Sequence, residues 1–271
     1  MNKLITALAT PYRTGKVDAY CYEKLIDFQL KNGVSALLAV GTTAEAQLLD
    51  ECEKKLLVKL AKGMATNTPV YVGVEGRSTS DAVREVRAME QAGADGLMIS
   101  PPSFAKCTPQ GYLLHIQEIR KATSLPLILY NAPSRCGYVL DSQIVSQLAD
   151  PAMYLKDAGN DLSYTSLLSK KISVLCGNDG ILAKSLEHGA VGVISVVSNI
   201  EPQLTRKVLD DVATDSENER FRELARLSML EVSPIAVKYM LYKRGIFDNY
   251  DMRLPLTPAS KHTRKEIDKL I

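Results

Sequence analysis

AGADGLM, residues 92–98, shows the architecture most directly, because the glycine at its second position ends one helix in a left-handed turn and an apolar run follows at once. The same junction recurs as NGVSALL from Asn32 and as HGAVGVI from His188. Just upstream of the quoted stretch, residues 80–91 carry Ala82, Val83, Val86 and Met89 on one helical face, with Ser80 placed to cap the first turn. One βα unit is therefore repeated along the chain.

Moving outward, short apolar runs lie at 4–10, 35–40, 70–74, 96–100, 125–130, 153–156, 172–176 and 192–197. Each is too apolar for a half-exposed strand and suits a parallel sheet covered on both faces. Amphipathic stretches separate the runs, and Asp50 with Glu53 makes a capping-box start to one of them. Eight such runs predict a closed α/β barrel, (β/α)8, of TIM type. After Val197 the alternation stops, and 221–230 and 233–242 read as helix without strand. The expectation is a single domain: a barrel over 1–220 with a C-terminal helical extension over 221–271, since no Pro/Gly/Ser-rich linker separates them.

Composition narrows the function classes. The 271 residues are 46% hydrophobic and 24% charged, as in an ordinary soluble protein. A net charge of +2 arises from 33 basic and 31 acidic residues mixed along the chain, so no basic stripe recruits nucleic acid. Cys21, Cys52, Cys107, Cys136 and Cys176 are scattered without CxxC spacing, against both a disulfide framework and a zinc cluster. A reducing cytoplasm is the expected setting. The apolar run near the N-terminus is too short for a signal sequence, and no 18 apolar residues run together, so neither export nor a membrane span is expected.

In barrels of this kind the active site lies at the C-terminal strand ends, so the polar residues closing each run carry the chemistry. The second run ends GTTAEA (41–46), the fifth YNAPSRCG (130–137), the sixth LKDAG with Lys156, and the seventh CGND. A lysine at a barrel mouth is poorly solvated as an ammonium, and as a neutral amine it adds to carbonyls; the iminium then acidifies the neighbouring carbon. Equally, Lys156 reads as the structural partner of Asp157 or another carboxylate. Tyr130 suits proton transfer or packing; Thr42 and Thr43 suit proton relay, carboxylate binding or helix capping; Arg135 suits bidentate carboxylate binding or a solvated surface. Gly73 and Gly76 in GVEGRS lack the spacing of a phosphate loop and read as turn residues, so no nucleotide cofactor is expected. His115, His188 and His262 fall in helical stretches away from strand ends, so no metal site is expected either.

Taken together and in order, GTTAEA, YNAPSRCG, the lysine of LKDAG, GVISVV and SPIAVKYML resemble the dihydrodipicolinate synthase and N-acetylneuraminate lyase superfamily over nearly the whole chain. Arg135 stands where the 4-hydroxy-tetrahydrodipicolinate synthases of that superfamily carry the arginine that binds the carboxylate of aspartate semialdehyde. The resemblance implies a lyase of lysine biosynthesis through diaminopimelate. By it, Lys156 forms the imine with pyruvate, Tyr130 transfers protons, Thr42 is its relay partner, Thr43 and the backbone at Ala44 hold the pyruvate carboxylate, and Ile194 lines the pocket floor. It implies no cofactor beyond that imine, and a homotetramer or homodimer.

Three departures from the family pattern stand out. PPSFAKCTPQG puts Phe104 where relatives bring a second relay tyrosine across a subunit interface, and Ala44 replaces a glycine. Ser103, Glu51, Lys54, Arg77 and Asp81 fall at the positions with which feedback-inhibited relatives bind lysine, so lysine inhibition is expected to be weak or absent. Another pyruvate-dependent aldolase acting on a sugar acid, or a weakly active keto-acid-binding homologue, remains an alternative.

Overall fold

Strand β1 (Lys3–Ala7) leads into a small antiparallel ribbon, β2 (Tyr12–Arg13) with β3 (Lys16–Val17). Seven more strands follow: β4 (Ala36–Ala39), β5 (Val70–Val74), β6 (Gly96–Ile99), β7 (Leu127–Asn131), β8 (Tyr154–Asp157), β9 (Ser173–Cys176) and β10 (Gly192–Ser195). In this computed structural model, which describes residues 2–271 and so leaves Met1 of the N-terminal run outside the described residues, β1 and β4–β10 close into a parallel barrel in sequence order. All eight predicted runs supply a barrel strand.

Around the barrel lie α1 (Ala19–Lys31), α2 (Glu51–Met64), α3 (Thr79–Gln91), α4 (Pro109–Ala122), the short α5 (Pro133–Cys136), α6 (Ser142–Leu148), α7 (Leu162–Ser169), α8 (Leu182–Glu187) and α9 (Pro202–Leu209). The extension is α10 (Asp215–Ser228), α11 (Ile235–Lys243) and α12 (Lys261–Ile267). The junction glycines behave as their positions require: Gly33, Gly93 and Gly189 have φ of 67°, 107° and 93°. The Asp50–Glu53 capping box is present in both directions. The cap of α3 is Ser78, which accepts from the Asp81 N–H, and not Ser80.

Two further local expectations are corrected. The helix read from residue 221 begins at Asp215, behind a Thr214–Glu217 capping box, so residue 220 lies inside a helix. Its first turn, Asp-Ser-Glu-Asn, is wholly polar and carries no apolar period to signal it. Gly73 is not a turn residue but part of β5, where a Cβ would stand 2.2 Å from the Val40 carbonyl oxygen.

Alternation along the strands sorts side chains into two cores. Ile5, Leu38, Met98, Ile128, Leu175 and Ile194 fill the barrel interior, while residues such as Leu37, Val72, Leu97, Leu129, Leu155 and Val174 pack outward under the helices. Each fully buried aliphatic side chain contributes about 1.5–3 kcal/mol. The register aligns Val74 with Ile99, Ile99 with Leu129, and Leu129 with Leu155. One residue further on, Glu75, Ser100, Tyr130 and Lys156 form a row across four neighbouring strand ends, with Tyr130 opposite Lys156. That row is at the C-terminal mouth.

Candidate active site

Lys156 ends β8 on the inward face and is only 6% exposed, with Nζ 4.4 Å from the centroid of the Tyr130 ring. Asp157, the next residue, points the other way. Its carboxylate accepts from Asn131 Nδ2, Gly159 N and Thr165 Oγ1, each at 2.9 Å. The structural pairing of Lys156 with Asp157 is thereby excluded, and among the described residues Lys156 is in no salt bridge. Asp179 lines the same cavity; its Oδ2 accepts from the Val196 and Val197 N–H groups at 2.8 and 3.0 Å, while Oδ1 has no partner among the described residues. Burial raises the Asp179 pKa from the ordinary carboxylate value.

Thr42, Thr43 and Ala44 form a single 3-10 turn. They cap no helix, since α2 takes its cap from Asp50. The turn is closed by the Ala44 N–H donating to the Gly41 carbonyl at 3.0 Å, and the Ala44 carbonyl accepts from Thr10 Oγ1 at 2.9 Å. Ala44 is not in the positive-φ region, so alanine replaces glycine there without backbone strain. Glu45 takes that strain instead, at φ 57°. It is held by Lys238 of α11, whose Nζ donates to Oε1 at 2.8 Å with both side chains wholly buried. Burial pulls the Lys238 ammonium down to about 8 even so, and the Tyr12 ring lies 4.1 Å beneath it.

A cavity of about 640 Å3 opens over this mouth, within the size range of small-molecule sites. Thr42, Thr43, Tyr130, Arg135, Lys156 and Asp179 line it, and residues 228–233 between α10 and α11 roof it. Arg135, exposed on α5, forms no salt bridge among the described residues. The structure thus brings five of the seven predicted site residues together at one cavity. The other two are beside it: Ile194 is buried in the barrel interior beneath the mouth, and Ala44 is buried in the turn with its N–H engaged by Gly41.

A second, smaller cavity of about 250 Å3 branches from the same mouth, lined by Thr42, Glu75, Ser100, Tyr130 and Arg135 among others. Glu75 was not singled out in the sequence, and Asp179 was marked only as the last residue of CGND, with no role given to it. For Glu75 a signal existed: inward alternation from Tyr71 through Gly73 reaches it next. Ser103, Glu51, Lys54, Arg77 and Asp81 line a third cavity of about 490 Å3 that shares Gln47, Glu75 and Ser103 with the second. Phe104 lines none of the three; it is fully exposed, with φ 67°.

Histidines take no part at the mouth. His115 is buried with Nδ1 3.0 Å from Thr79 Oγ1, and burial lowers its pKa; His188 Nδ1 lies 2.8 Å from the Lys184 carbonyl. Asp18 and Asp248, grouped with Cys21, are bridged by the Arg13 guanidinium at 2.8 and 2.5 Å. No helix among the described residues is long and apolar enough to cross a membrane.

Comparison with known proteins places this geometry in context. A 4-hydroxy-tetrahydrodipicolinate synthase of Rickettsia bellii is 35% identical over 281 residues, covering 99% of this chain and 95% of that protein. The solved dihydrodipicolinate synthase of Thermotoga maritima superposes with a TM-score of 0.93 at 30% identity, covering 100% of this chain and 97% of that one. A chloride-inhibited dihydrodipicolinate synthase of Acinetobacter baumannii, complexed with pyruvate, gives a TM-score of 0.92 at 31% identity over 99% of this chain and 97% of its own. The model of the dihydrodipicolinate synthetase family matches residues 1–271. With its strand-end lysine facing a tyrosine at the barrel mouth, the chain belongs to the dihydrodipicolinate synthetase family of lyases.

Proposed function

We propose that this chain is a 4-hydroxy-tetrahydrodipicolinate synthase that joins pyruvate to aspartate semialdehyde through an imine on Lys156. The observation that carries the proposal is the placement of the Lys156 amine: buried, without a carboxylate partner among the described residues, against Tyr130, and in one cavity with Arg135. The Lys156 nitrogen adds to the ketone carbon of pyruvate, and loss of water leaves an iminium that draws electron density from the methyl carbon. Tyr130 takes part in moving the methyl proton, with Thr42 as its relay, and the resulting enamine carbon attacks the aldehyde. The amine of the second substrate then attacks the imine carbon, closes the ring and releases Lys156. Thr43 and the turn around it receive the pyruvate carboxylate, and Arg135 receives that of the aldehyde.

The imine is the only prosthetic chemistry this scheme requires, and a cytoplasmic homotetramer built from dimers is the setting we assign. Lysine should inhibit weakly or not at all, because the third cavity offers Glu51, Lys54, Arg77, Asp81 and Ser103 to it. Inhibition at low lysine concentration would contradict that. The outward Phe104 favours one second reading, an acceptor other than aspartate semialdehyde.

Borohydride reduction in the presence of pyruvate, with the adduct located by mass spectrometry, tests the scheme when followed by turnover with aspartate semialdehyde. An adduct on Lys156 with turnover supports the synthase. An adduct without turnover favours another aldehyde, and no adduct on Lys156 overturns the imine.

A further inference from the structure

Proton traffic at this mouth needs an exit. A proton taken from the pyruvate methyl group by Tyr130 has to be held, or exchanged with solvent, until one is returned to the new alkoxide, and Phe104 carries no exchangeable proton and lines none of the cavities at the mouth. The branch cavity beside Tyr130 holds four titratable side chains, Tyr130, Arg135, Cys136 and Glu75. Arg135 keeps its proton, and burial pushes the Cys136 thiol up to about 11.

Glu75 is placed differently. It stands one residue beyond β5, on the inward face after Tyr71 and Gly73, and in the strand-end row with Ser100, Tyr130 and Lys156. Neighbouring strands are about 4.8 Å apart, so two strand spacings, roughly 10 Å of backbone, separate it from Tyr130, with Ser100 of the same row on the strand between. Although the residue as a whole is half-buried, its Oε2 is sealed from solvent and has no hydrogen-bond partner. Glu75 is also common to the branch cavity and the cavity behind it, so one carboxyl borders the mouth on one side and a second opening on the other.

We propose that Glu75 is the proton-relay residue of this enzyme, passing protons between Tyr130 and Thr42 at the imine and solvent by way of the side cavity. This inference rests on the imine reading above. In the forward step the methyl C–H bond breaks, its electron pair becomes the enamine double bond, and the iminium nitrogen takes up the displaced pair. The proton moves to the Tyr130 oxygen as that group passes its own proton on to the Glu75 carboxylate, which becomes a carboxylic acid. After carbon–carbon bond formation the same path returns a proton to the new alkoxide, so the cycle is balanced.

The charge environment suits the exchange. Facing Glu75 are Lys54 of α2, Glu85 of α3, Arg135 and Cys136 of α5, and Lys156 of β8. Lys54 is already paired with Glu85 at 2.6 Å, and that glutamate also accepts from the Glu75 N–H at 3.1 Å. Burial outweighs the cations and lifts the Glu75 carboxyl to about 7, where both protonation states are accessible near neutrality.

Exchange of the pyruvate methyl protons for deuterium, followed by NMR on the full-length protein without any aldehyde, reads this step alone. Borohydride trapping on the same samples reads the imine. In the wild type, exchange should rise with pH through an inflection near 7. Glu75→Gln should trap pyruvate on Lys156 as well as the wild type does but exchange about 100-fold more slowly and without that inflection. Glu75→Asp should recover part of the rate. Trapping and exchange both at the wild-type level in Glu75→Gln, with the inflection kept, would overturn the relay. So would a wild-type profile without an inflection, whether or not the variants fold. A wild type that traps no pyruvate overturns the imine reading, and the relay with it.

Discussion

At the scale of single residues, the site depends on which way neighbouring side chains face. Lys156 points into the mouth because Asp157 points out, and Asp157 is fully used by Asn131, Gly159 and Thr165. Among the described residues Arg135 has no salt-bridge partner, so its guanidinium is available to a carboxylate. Replacing it by alanine should raise KM for aspartate semialdehyde roughly 100-fold, the loss of two charge-assisted hydrogen bonds, while leaving pyruvate trapping unchanged. Steady-state kinetics with each substrate varied separately checks this. Glu75 makes a different prediction, about stability. Its folded pKa of about 7 lies above the ordinary 4.5, so the folded state binds the extra proton between those values. The stability this contributes is fully present below about pH 4.5 and is lost as pH rises through 7, an effect of up to about 3 kcal/mol. Urea midpoints of Glu75→Gln relative to the wild type should therefore increase from pH 4.5 to 7 and then level off.

Elements were legible to the extent that their signals are local. The junction glycines, the Asp50–Glu53 box and the eight apolar runs each announce themselves within a few residues, and all became structure where expected. The start of α10 was missed because its first turn is polar, and α12, within the expected helical extension, was not marked as a separate helix because it buries only Thr263 and Ile267. Lys156, Tyr130, Thr42, Thr43 and Arg135 were found from strand ends, whereas Glu75 lies one residue past the apolar run of β5 and Asp179 lies in the 3-10 turn after β9, so that only barrel closure brings them to the same mouth. Closure also explains Gly73. A methyl group there would meet the Val40 carbonyl at 2.2 Å, so Gly73→Ala should force β4 and β5 apart and lower the melting temperature markedly, or prevent folding. Removing Lys238 from α11 should be comparably severe. Lys238→Met leaves the Glu45 carboxylate buried and unpaired, a loss of about 3–5 kcal/mol, whereas Lys238→Met with Glu45→Gln should recover much of it in denaturant titrations.

Across the whole molecule, the extension is part of the site and not an ornament on the barrel. α11 anchors the turn that holds Thr42 and Thr43, and the segment before it roofs the cavity. The wholly exposed Phe104, together with Leu254 at 81% exposure, is apolar surface of the kind that assembly covers. Sedimentation of the purified protein should show a species of four chains, and Phe104→Glu should shift it toward smaller ones; a wild-type monomer at micromolar concentration would count against the assembly assigned above.

The cavity is also divided by what holds its walls. Lys156, Tyr130 and Thr42 stand at strand ends whose positions the barrel fixes, whereas Arg135, Met229 and Val232 stand on a short helix and a roofing loop. Substitutions in the upper wall should therefore change which aldehyde is admitted without disturbing the imine chemistry proposed for the floor. On the imine reading above, this scaffold could keep its nucleophile and exchange its acceptor, with new substrates admitted through the upper wall of the cavity while the floor stays the same.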